Sequence, residues 1–436
     1  MPSKNAIENG LTLSNESVRE LAKNFGTPLY VIDESTYFKN IRTYKSAFEK
    51  ASPGSKLIYA TKANSTLALL QIALNEGLIL DVASEGELRA AIQAGAKPQQ
   101  IIFHGSNKLV SELALALNLG VAQIIVDNFE EIDHLIRLET SNNTQFLLRL
   151  APAVDPITHK KIATGQADTK FGFSIADGSA LIALQKCLQH NLPIIGFHCH
   201  VGSQLFDPKA QVEGGEILAD FAIMALEEVG FETKYLNLGG GRAVDYTCDN
   251  NLTSLEDYCN SLVQAVRNRL STTSLHPTLA QEPGRSLVAN AGVTIYQVGV
   301  VKSLNLNSGK KTYISVDGGL SDNLRPGLYN ADYSIKVVAG HDHLTRSNEE
   351  IIATVVGRHC ESDVLFIDKL VPHWVTEGDY IQVISTGAYN SSMASNYNRF
   401  PRPAMILIRT SGEHVVIQKR ESWDQILANE VLINLP

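Results

Sequence analysis

The sequence has little of several features that would mark a special class of protein. Its 436 residues include two tryptophans, four methionines and five cysteines. No apolar run approaches the roughly 20 residues that a membrane-spanning helix needs, so a membrane role is not expected. The first 18 residues lack the apolar core of a signal peptide, and a cytoplasmic location is therefore expected.

The cysteines are odd in number and lack paired CxxC spacing. They are Cys187, Cys199, Cys248, Cys259 and Cys360. The pattern argues against a disulfide framework and a structural zinc site, so free thiols are expected. His198 and His200 flank Cys199, but strand alternation puts the cysteine on the opposite face, which argues against a shared metal site. No metal is expected.

Positive charge is also scarce. The chain has 37 lysines and arginines against 46 aspartates and glutamates, a formal net charge of -9, and no dense basic run. This balance argues against nucleic acid as a partner and favours a small molecule. The 44% hydrophobic content is typical of a globular protein, and the length suggests two domains.

Between about residues 30 and 285 the chain repeats one rhythm: a short β-branched apolar run, a polar turn, then a helical stretch. This rhythm predicts parallel βαβ units, and eight such strands fit a closed (β/α)8 TIM-type barrel. The eight runs are KLIYAT (56–61), LILDVA (78–83), IIFH (101–104), QIIVD (123–127), FLLRL (146–150), IIGFHC (194–199), KYLNL (234–238) and TLAQE (278–282).

After residue 285 the pattern changes to alternating runs, which predict a mainly antiparallel β domain. The runs are VTIYQVGVV, TYISV, IIATVV, YIQVIS and AMILIR. The expected fold class is therefore α/β, with a barrel at 30–285. A β-sandwich or β-barrel domain would follow at 286–436 and include residues 1–29.

Apolar stripes at helical spacing lie between the predicted strands. Tyr37, Ile41, Tyr44 and Phe48 form one stripe, and a second is formed by Ile217, Phe221 and Met224. Both stripes are interpreted as core contacts of helices that pack on the barrel.

Polar residues follow the apolar runs, and in barrels of this type the active site lies at the C-terminal ends of the strands. A lysine, a histidine, a glycine triplet and a carboxylate at one rim suggest an anion-bearing cofactor. The polar residues are Lys62, Asp81, Ser84, His104, Asp127, Arg149, His200, Gly239 to Gly241, and Glu282.

The glycine triplet 239–241 follows the seventh run, where barrels commonly bind phosphate. Its backbone N–H groups could face a phosphate, and Gly284-Arg285 would support that role; the alternative is a tight turn. Lys62 could be a Schiff-base nucleophile if it is desolvated near positive charge, or simply a solvated lysine.

Three further candidates each have an ordinary reading when taken alone. His200 could be a hydrogen-bonded core histidine, and Cys360 a small buried hydrophobe. Arg325 and Tyr329 are four residues apart and could form a surface pair.

Taken together, the motifs resemble the alanine-racemase-like (fold type III) pyridoxal-phosphate-dependent decarboxylases, most closely the diaminopimelate decarboxylases. The resemblance runs from FGTPLYVID at 25–33 to Arg402-Pro403, with its motifs in the family's order. They are YATKAN, LDVASEGEL, FHGSNK, THKKIATGQADTKFG, HCHVGSQ, NLGGG, EPGRS, DGGLSDNLRPGLY, HCES and GAYNSSMASNYN.

This resemblance implies pyridoxal 5'-phosphate as cofactor, with Lys62 as its Schiff-base lysine and His200 stacked on its ring. Glu282 would face the ring nitrogen and keep it protonated. The related racemases have an arginine there, so Glu282 favours decarboxylation over racemisation. The phosphate would be surrounded by Ser203, Gly239, Gly240, Gly241, Gly284, Arg285 and Tyr389.

The resemblance also implies a homodimer with shared active sites, because in the family the cysteine of the CES motif comes from the partner subunit. Cys360 would protonate the substrate carbon, and Glu361 would meet the distal amino group. The distal carboxylate would be held by Arg285, Arg325 and Tyr329, with Tyr389 also contacting substrate. The implied reaction is decarboxylation of meso-2,6-diaminopimelate to L-lysine and CO2.

Two segments depart from the family pattern, and both border the substrate contacts. The family commonly reads GPxCESGD where this chain has GRHCESD (357–363), and LYxAYH where it has LYNADY (328–333). A relative acting on another substrate, such as a D-amino acid, ornithine or an intermediate of secondary metabolism, is therefore an alternative. A non-catalytic homologue is a third, against which the presence of Lys62 and Cys360 argues.

Overall fold

The computed structural model of the chain describes most of the sequence in six segments, which are residues 10–138, 143–154, 170–247, 252–307, 309–340 and 349–434. Contacts divide the chain into two compact units. The first, called the barrel unit, is Phe38–Val244 with Asn251–Leu287. The second, called the β unit, is Met1–Tyr37, Asp245–Asn250 and Val288–Pro436.

Strands and helices alternate through the first two thirds of the described chain. The strands are β1 (Leu29–Asp33), β2 (Lys56–Ala60), β3 (Ile79–Val82), β4 (Ile101–Phe103), β5 (Gln123–Val126), β6 (Gln145–Ala151), β7 (Phe173–Ser174), β8 (Ile194–His198), β9 (Tyr235–Asn237), β10 (Thr278–Gln281), β11 (Gly292–Leu306), β12 (Gly309–Val316), β13 (Ile335–Val338), β14 (Glu350–Val356), β15 (Val364–Pro372), β16 (Tyr380–Ile384), β17 (Ala404–Ile408) and β18 (His414–Gln418).

None of the helices within these described segments is long and apolar enough to cross a membrane. The helices are α1 (Asn15–Phe25), α2 (Glu34–Ala51), α3 (Leu67–Asn75), α4 (Glu85–Gln93), α5 (Val110–Leu119), α6 (Phe129–Arg137), α7 (Ser179–Gln189), α8 (Lys209–Val229), α9 (Leu255–Leu270), α10 (Arg285–Val288), α11 (Arg325–Tyr329) and α12 (Trp423–Leu427).

Side-chain caps fix where several barrel helices begin. The oxygen of each capping residue accepts a hydrogen bond from a backbone N–H of the first helical turn, which would otherwise have no partner. The caps are Ser84 for α4, Asn128 for α6 and Ser254 for α9. Ser84 and Asn128 each stand two residues after the end of a barrel strand, so the chain turns there from strand to helix.

The barrel unit contains a closed parallel sheet. Its strands pair in the order β2, β3, β4, β5, β6, β8, β9 and β10, and β10 pairs back to β2. All eight predicted apolar runs are these strands, which confirms the predicted barrel. A buried apolar cluster joins six of these strands through Ile58, Ile102, Ile125, Leu147, Tyr235 and Ala280. Each of its isoleucine and leucine side chains contributes about 1.5–3 kcal/mol by burial.

One of the two helical stripes was predicted only in part. Tyr37, Ile41, Tyr44 and Phe48 are all buried, but Met224 is 40% exposed. The buried face of α8 is centred instead on Leu218, Phe221, Ala222 and Ala225. A 21-residue helix with apolar residues on several sides allows more than one stripe, so the sequence period alone did not select the face that packs.

The β unit is mainly antiparallel, as predicted. Its sheet runs β15, β14, β12, β11, β1, β17 and β18, with β16 paired to β11 and β13 paired to β16. Only the β1–β17 and β12–β14 pairings, among those described, are parallel. Its core combines α1 with these strands through Leu13, Val18, Leu21, Ala22, Leu29, Val31, Val293, Ile295, Val338, Ala404 and Ile406.

Candidate active site

Titratable side chains gather at the C-terminal rim of the barrel strands. Lys62 lies in the short 3-10 turn Thr61–Ala63 directly after β2, where it is exposed. Asp81, His104 and Glu282, at the ends of β3, β4 and β10, are all buried. Because the sheet is closed and parallel, these strand ends meet at one rim.

The carboxylate of Glu282 is the centre of a buried hydrogen-bonded cluster. Its Oε1 accepts from Asn237 Nδ2 at 2.6 Å and lies 2.8 Å from His104 Nε2. Its Oε2 lies 3.1 Å from His198 Nε2. Asp81 Oδ1 is 3.7 Å from the same nitrogen of His104, so the cluster extends across the rim from β10 to β3.

The pKa values in this cluster move in opposite directions. Burial alone would raise the pKa of Glu282, but the charges and hydrogen bonds of His104 and His198 outweigh it and hold that pKa well below its usual range. Burial lowers the pKa of His198 to about 4. Burial raises the pKa of Asp81 to about 6. The charge of His104 lowers this pKa in part, and the charge of Glu282 adds to the rise. Glu282 is therefore ionised at neutral pH.

His104, His198 and Glu282 are also a residue set that a metal could use, with their ligand atoms within 4.8 Å of one another. His198 Nε2 is hydrogen-bonded to Glu282 at 3.1 Å, whereas His104 Nε2 lies within ion-pair distance of the same carboxylate at 2.8 Å without hydrogen-bond geometry. Two ligands of a tetrahedral zinc ion would lie roughly 3.3 Å apart. Both contacts are shorter than that separation, and they join each histidine to the Glu282 carboxylate directly.

His200 follows β8 and lies beside the glycine triplet. Its Nδ1 accepts a hydrogen bond from Gly240 N at 3.3 Å, so the ring is neutral at this nitrogen. Burial, then the positive charges of Lys62 and Arg149, hold the pKa of His200 well below its usual range. A neutral imidazole with its polar edge turned to the backbone leaves its faces for stacking.

The glycine triplet 239–241 is packed too closely for any side chain. A Cβ atom would lie 2.4 Å from Cys199 O at Gly239, 2.2 Å from Glu282 O at Gly240 and 2.4 Å from Gly202 O at Gly241. Gly239 and Gly241 also have positive φ angles of 66° and 129°. Both observations exclude other residues here and favour a backbone cradle over an ordinary surface turn.

Arg285 and Ser203 lie together near this cradle. The guanidinium of Arg285 donates to Ser203 Oγ from Nη2 at 2.9 Å and from Nε at 3.3 Å. Gly284 precedes Arg285 and is buried. A Cβ atom added there would lie 3.0 Å from Ala60 O. An arginine, a hydroxyl and close-packed glycine backbone form a donor set suited to a phosphate.

Arg149 and Asp127 form a second charged group of the barrel. The Nη1 of Arg149 is 3.6 Å from Asp127 Oδ1, and its guanidinium lies 4.2 Å over the ring of Phe171. Gly172 N donates to the other oxygen of Asp127 at 3.2 Å. Phe171 and Gly172 end the THKKIATGQADTKFG motif, of which residues 158–169 lie outside the described residues.

In the β unit, Arg325 is a buried cation among aromatic rings. It is 4% exposed, which contradicts the reading as an ordinary surface pair with Tyr329. Its guanidinium lies 4.7 Å from the ring centre of Tyr246 and donates to the hydroxyl of Tyr333. Its Nε has no hydrogen-bond partner in the described part of the chain. Tyr389, half-buried with φ at +61°, is one of its electrostatic neighbours.

Cys360 and Glu361 lie on an exposed loop of the β unit. Both are exposed, so the reading of Cys360 as a buried small hydrophobe is wrong. Cys360 N donates to Asn398 Oδ1 at 3.0 Å, and Glu361 Oε1 accepts from the hydroxyl of Tyr397 at 2.7 Å. Cys187, Cys199 and Cys259 are free and buried, and Cys248 lies outside the described residues.

Sequence reasoning did not assign roles to three members of the Glu282 cluster. His104 was noted only as a polar residue at a strand end, and His198 only as the neighbour of His200. Asn237 was not noted at all, although NLGGG places it at the end of β9. Its side chain also accepts from Gly239 N at 3.0 Å, so the asparagine links Glu282 to the glycine cradle.

Comparison with known proteins agrees with this geometry. A model of the family described as "Pyridoxal-dependent decarboxylase, pyridoxal binding domain" matches residues 38–289. The diaminopimelate decarboxylase of Bacillus subtilis (strain 168) is 40% identical over 412 residues, 93% of this chain and 92% of that protein. That of Staphylococcus aureus (strain COL) is 37% identical and covers 97% and 98%.

Solved structures match over the same extent. Diaminopimelate decarboxylase from M. jannaschii in complex with L-lysine has a TM-score of 0.86 and 31% identity, covering 95% of this chain and 94% of that one. The Helicobacter pylori enzyme with L-lysine has a TM-score of 0.81 and 32% identity, covering 94% and 98%. The predicted family, fold class and cofactor are confirmed. The chain belongs to the pyridoxal-dependent decarboxylases, whose cofactor is pyridoxal phosphate.

Proposed function

We propose that this chain decarboxylates meso-2,6-diaminopimelate at its D centre, giving L-lysine and CO2, the last step of lysine synthesis. The observation that carries the proposal is the near full-length similarity, at 35–40% identity, to proteins named diaminopimelate decarboxylase. The buried guanidinium of Arg325, whose described neighbours are tyrosines, supports it because a second carboxylate on the substrate would supply the missing counter-ion.

The residues at the barrel rim fit pyridoxal phosphate. The glycine triplet 239–241, Ser203 and Arg285 would hold the phosphate, for which the close-packed backbone and the Arg285–Ser203 pair are suited. Tyr389 of the β unit would add a phosphate and substrate contact. His200 would stack on the ring, and the amine of Lys62 would hold the cofactor covalently. Glu282 would lie against the ring nitrogen.

When bound, the cofactor serves as an electron sink for the pair left behind as CO2 departs. Glu282 supports that chemistry by keeping a proton on the ring nitrogen. It can do so at neutral pH because His104, His198 and Asn237 keep its carboxylate ionised, as its lowered pKa indicates. A neutral glutamic acid would leave the nitrogen without a stabilising negative charge.

Cys360 would supply the proton that completes the reaction. The bond between the D-centre carbon and its carboxylate breaks, and that carbon takes a proton from the Cys360 thiol, which then regains one from solvent. Glu361 would bind the ammonium group at the other end of the substrate, and Arg285, Arg325 and Tyr329 would bind the carboxylate there. Arginine suits a carboxylate because both can form two parallel hydrogen bonds.

An assay of CO2 release tests the substrate. The purified protein with pyridoxal phosphate is offered meso-diaminopimelate, ornithine, D-lysine and L-lysine at equal concentrations. Release from meso-diaminopimelate alone is expected, with L-lysine as product. Release from ornithine or D-lysine instead would contradict the proposal and favour a relative shaped for another substrate by the changed segments 328–333 and 357–363.

We also propose a homodimer with shared sites, in the cytoplasm, in which each site takes its Lys62 from one subunit and Cys360 from the partner. Lys62→Ala and Cys360→Ala proteins should each be inactive. Mixed after reversible dissociation, they should recover about a quarter of the wild-type rate, because half of the dimers carry one intact site. A mixture that stays inactive, with hybrid dimers detected by mass, would contradict shared sites.

A further inference from the structure

The loop that carries Cys360 is organised around one buried carboxylate, that of Asp363. Its Oδ2 accepts from the backbone N of His359 at 3.1 Å and contacts the imidazole Nδ1 of the same residue at 2.5 Å. Its Oδ1 accepts from Leu320 N at 2.8 Å. Gly357 N donates to the backbone O of Asp363 at 2.8 Å, which joins the two ends of the loop.

Two glycines leave the space that the His359–Asp363 pair occupies. A Cβ atom at Gly357 would lie 1.9 Å from Asp363 Oδ2, and one at Gly319 would lie 2.1 Å from the same oxygen. Asp363 itself has φ at +37°, in the left-handed region that favours glycine. The three hydrogen bonds to its carboxylate offset that backbone strain, and the close fit indicates a built contact rather than a chance one.

On its other side the loop is held by residues 397–400. The ring of His359 stacks on Tyr397 at 5.8 Å and 16° and meets the edge of Phe400 at 5.0 Å. The guanidinium of Arg358 lies 3.9 Å over Phe400. The same segment also hydrogen-bonds the next two residues of the loop. Asn398 accepts from the backbone N of Cys360, and the hydroxyl of Tyr397 donates to the Glu361 carboxylate.

We propose that His359 and Asp363 are positioning residues that fix the Cys360 thiol and the Glu361 carboxylate for the reaction. His359 is buried while its neighbour Cys360 is exposed, so anchoring the one orients the other. The pair lies in the segment where this chain lacks the proline and glycine of the family pattern, and it would set the loop shape by side-chain contacts instead. The inference rests on the proposed function for the meaning of Cys360 and Glu361.

Two variants separate the pair from the residues it positions. His359→Phe keeps a ring for stacking and removes Nδ1, and Asp363→Asn keeps the size and tolerates the left-handed backbone. In both we expect kcat on meso-diaminopimelate to fall about ten- to a hundredfold, because a misplaced proton donor slows the reaction. KM should rise by a smaller factor, because Glu361 would no longer be held in place to bind the substrate ammonium. His373→Phe, at an exposed histidine of the same unit, should be unchanged.

Product stereochemistry gives a readout that lost folding would not mimic. In D2O the wild type should place deuterium in one configuration at the carbon that loses CO2, whereas the variants should give a mixture. Hydrogen exchange of the wild-type holoenzyme should show slow amides at Leu320 and His359, and both should exchange faster in Asp363→Asn, while barrel peptides stay unchanged.

Fast exchange of the Leu320 and His359 amides in the wild type would overturn the proposal. This measurement does not depend on whether a variant folds. A loss confined to KM, or wild-type kcat and a single configuration in both variants, would overturn it as well. If the wild type releases no CO2 from meso-diaminopimelate, the proposed function fails, and the exchange measurement still decides whether the His359–Asp363 pair holds the loop.

Discussion

The barrel unit and the β unit treat buried charge differently. In the barrel, Glu282 is hydrogen-bonded to Asn237 and His198 and lies 2.8 Å from His104 Nε2, and its pKa is held low. In the β unit, the described hydrogen-bond donors to Asp322 are the hydroxyl of Tyr296 and the N–H of Gly319, and burial raises its pKa to about 7. The Glu282 carboxylate is thus held as an anion, whereas the Asp322 carboxyl titrates near neutrality.

Arg325 extends this contrast to a cation. Arginine stays charged in proteins, so it cannot respond to burial by losing its proton as Asp322 gains one. Its described contacts are tyrosines, which screen it but do not neutralise it. The carboxylate of Glu282 thus has basic side chains beside it, whereas the described contacts of Arg325 include no carboxylate, which is the arrangement expected if the proposed substrate supplies one.

The largest effect should follow from removing the negative charge of Glu282. Glu282→Gln keeps the shape but removes the negative charge beside the ring nitrogen, and loss of a buried charge partner is worth about 3–5 kcal/mol. We expect kcat to fall about a hundred- to a thousandfold, with weaker binding of pyridoxal phosphate measured by absorbance titration. A variant with wild-type kcat would show that the Glu282 charge has no part in the reaction.

A smaller effect is expected from changing Arg325. Arg325→Lys keeps the charge but loses the planar pair of donors, so KM for meso-diaminopimelate should rise about ten- to a hundredfold with kcat little changed. Arg409→Lys, at a half-exposed arginine paired with Glu34, is the matched control. If KM for meso-diaminopimelate stays at the wild-type value, Arg325 does not contact the substrate carboxylate.

Weakening the barrel cluster without removing its anion should cost less. His104→Gln takes away a group that lowers the pKa of both Glu282 and Asp81 against the effect of burial, so both pKa values should rise. We expect about a tenfold fall in kcat at pH 7 and an acid limb of the pH–rate profile moved to higher pH. The exposed His190→Gln provides the control, and an unmoved acid limb would argue against this role.

The smallest effect concerns stability. The pKa of Asp322 is raised on folding, so the native state binds more protons, and its contribution is present below the unfolded pKa and lost as pH rises through about 7. Asp322→Asn mimics the protonated acid. Its free energy of unfolding, measured by denaturant titration at each pH, should gain on that of the wild type between pH 4 and pH 8, by at most about 4 kcal/mol. A constant difference across that range would contradict the raised pKa.

Much of the fold was predictable because hydrophobic patterns are local. Each apolar run of four to six residues between helical stretches became one barrel strand, and alternating runs became the sheet of the β unit. The stripe through Met224 was predicted wrongly because α8 is apolar on more than one side, and only packing chooses among its faces. Cys360 and Arg325 had their exposure reversed from the ordinary reading, since burial depends on distant segments.

By itself, the sequence determined the barrel, the β unit and the family, because strand period, the residues at strand ends and the order of the motifs can all be read directly from the sequence. The tertiary structure alone decided which groups meet. Asn237, His104 and His198 lie on or directly after three different strands yet contact one carboxylate, and Gly319 makes room for a pair formed 40 residues later. The charge state of a buried group depends on such neighbours, and sequence spacing does not give their distances.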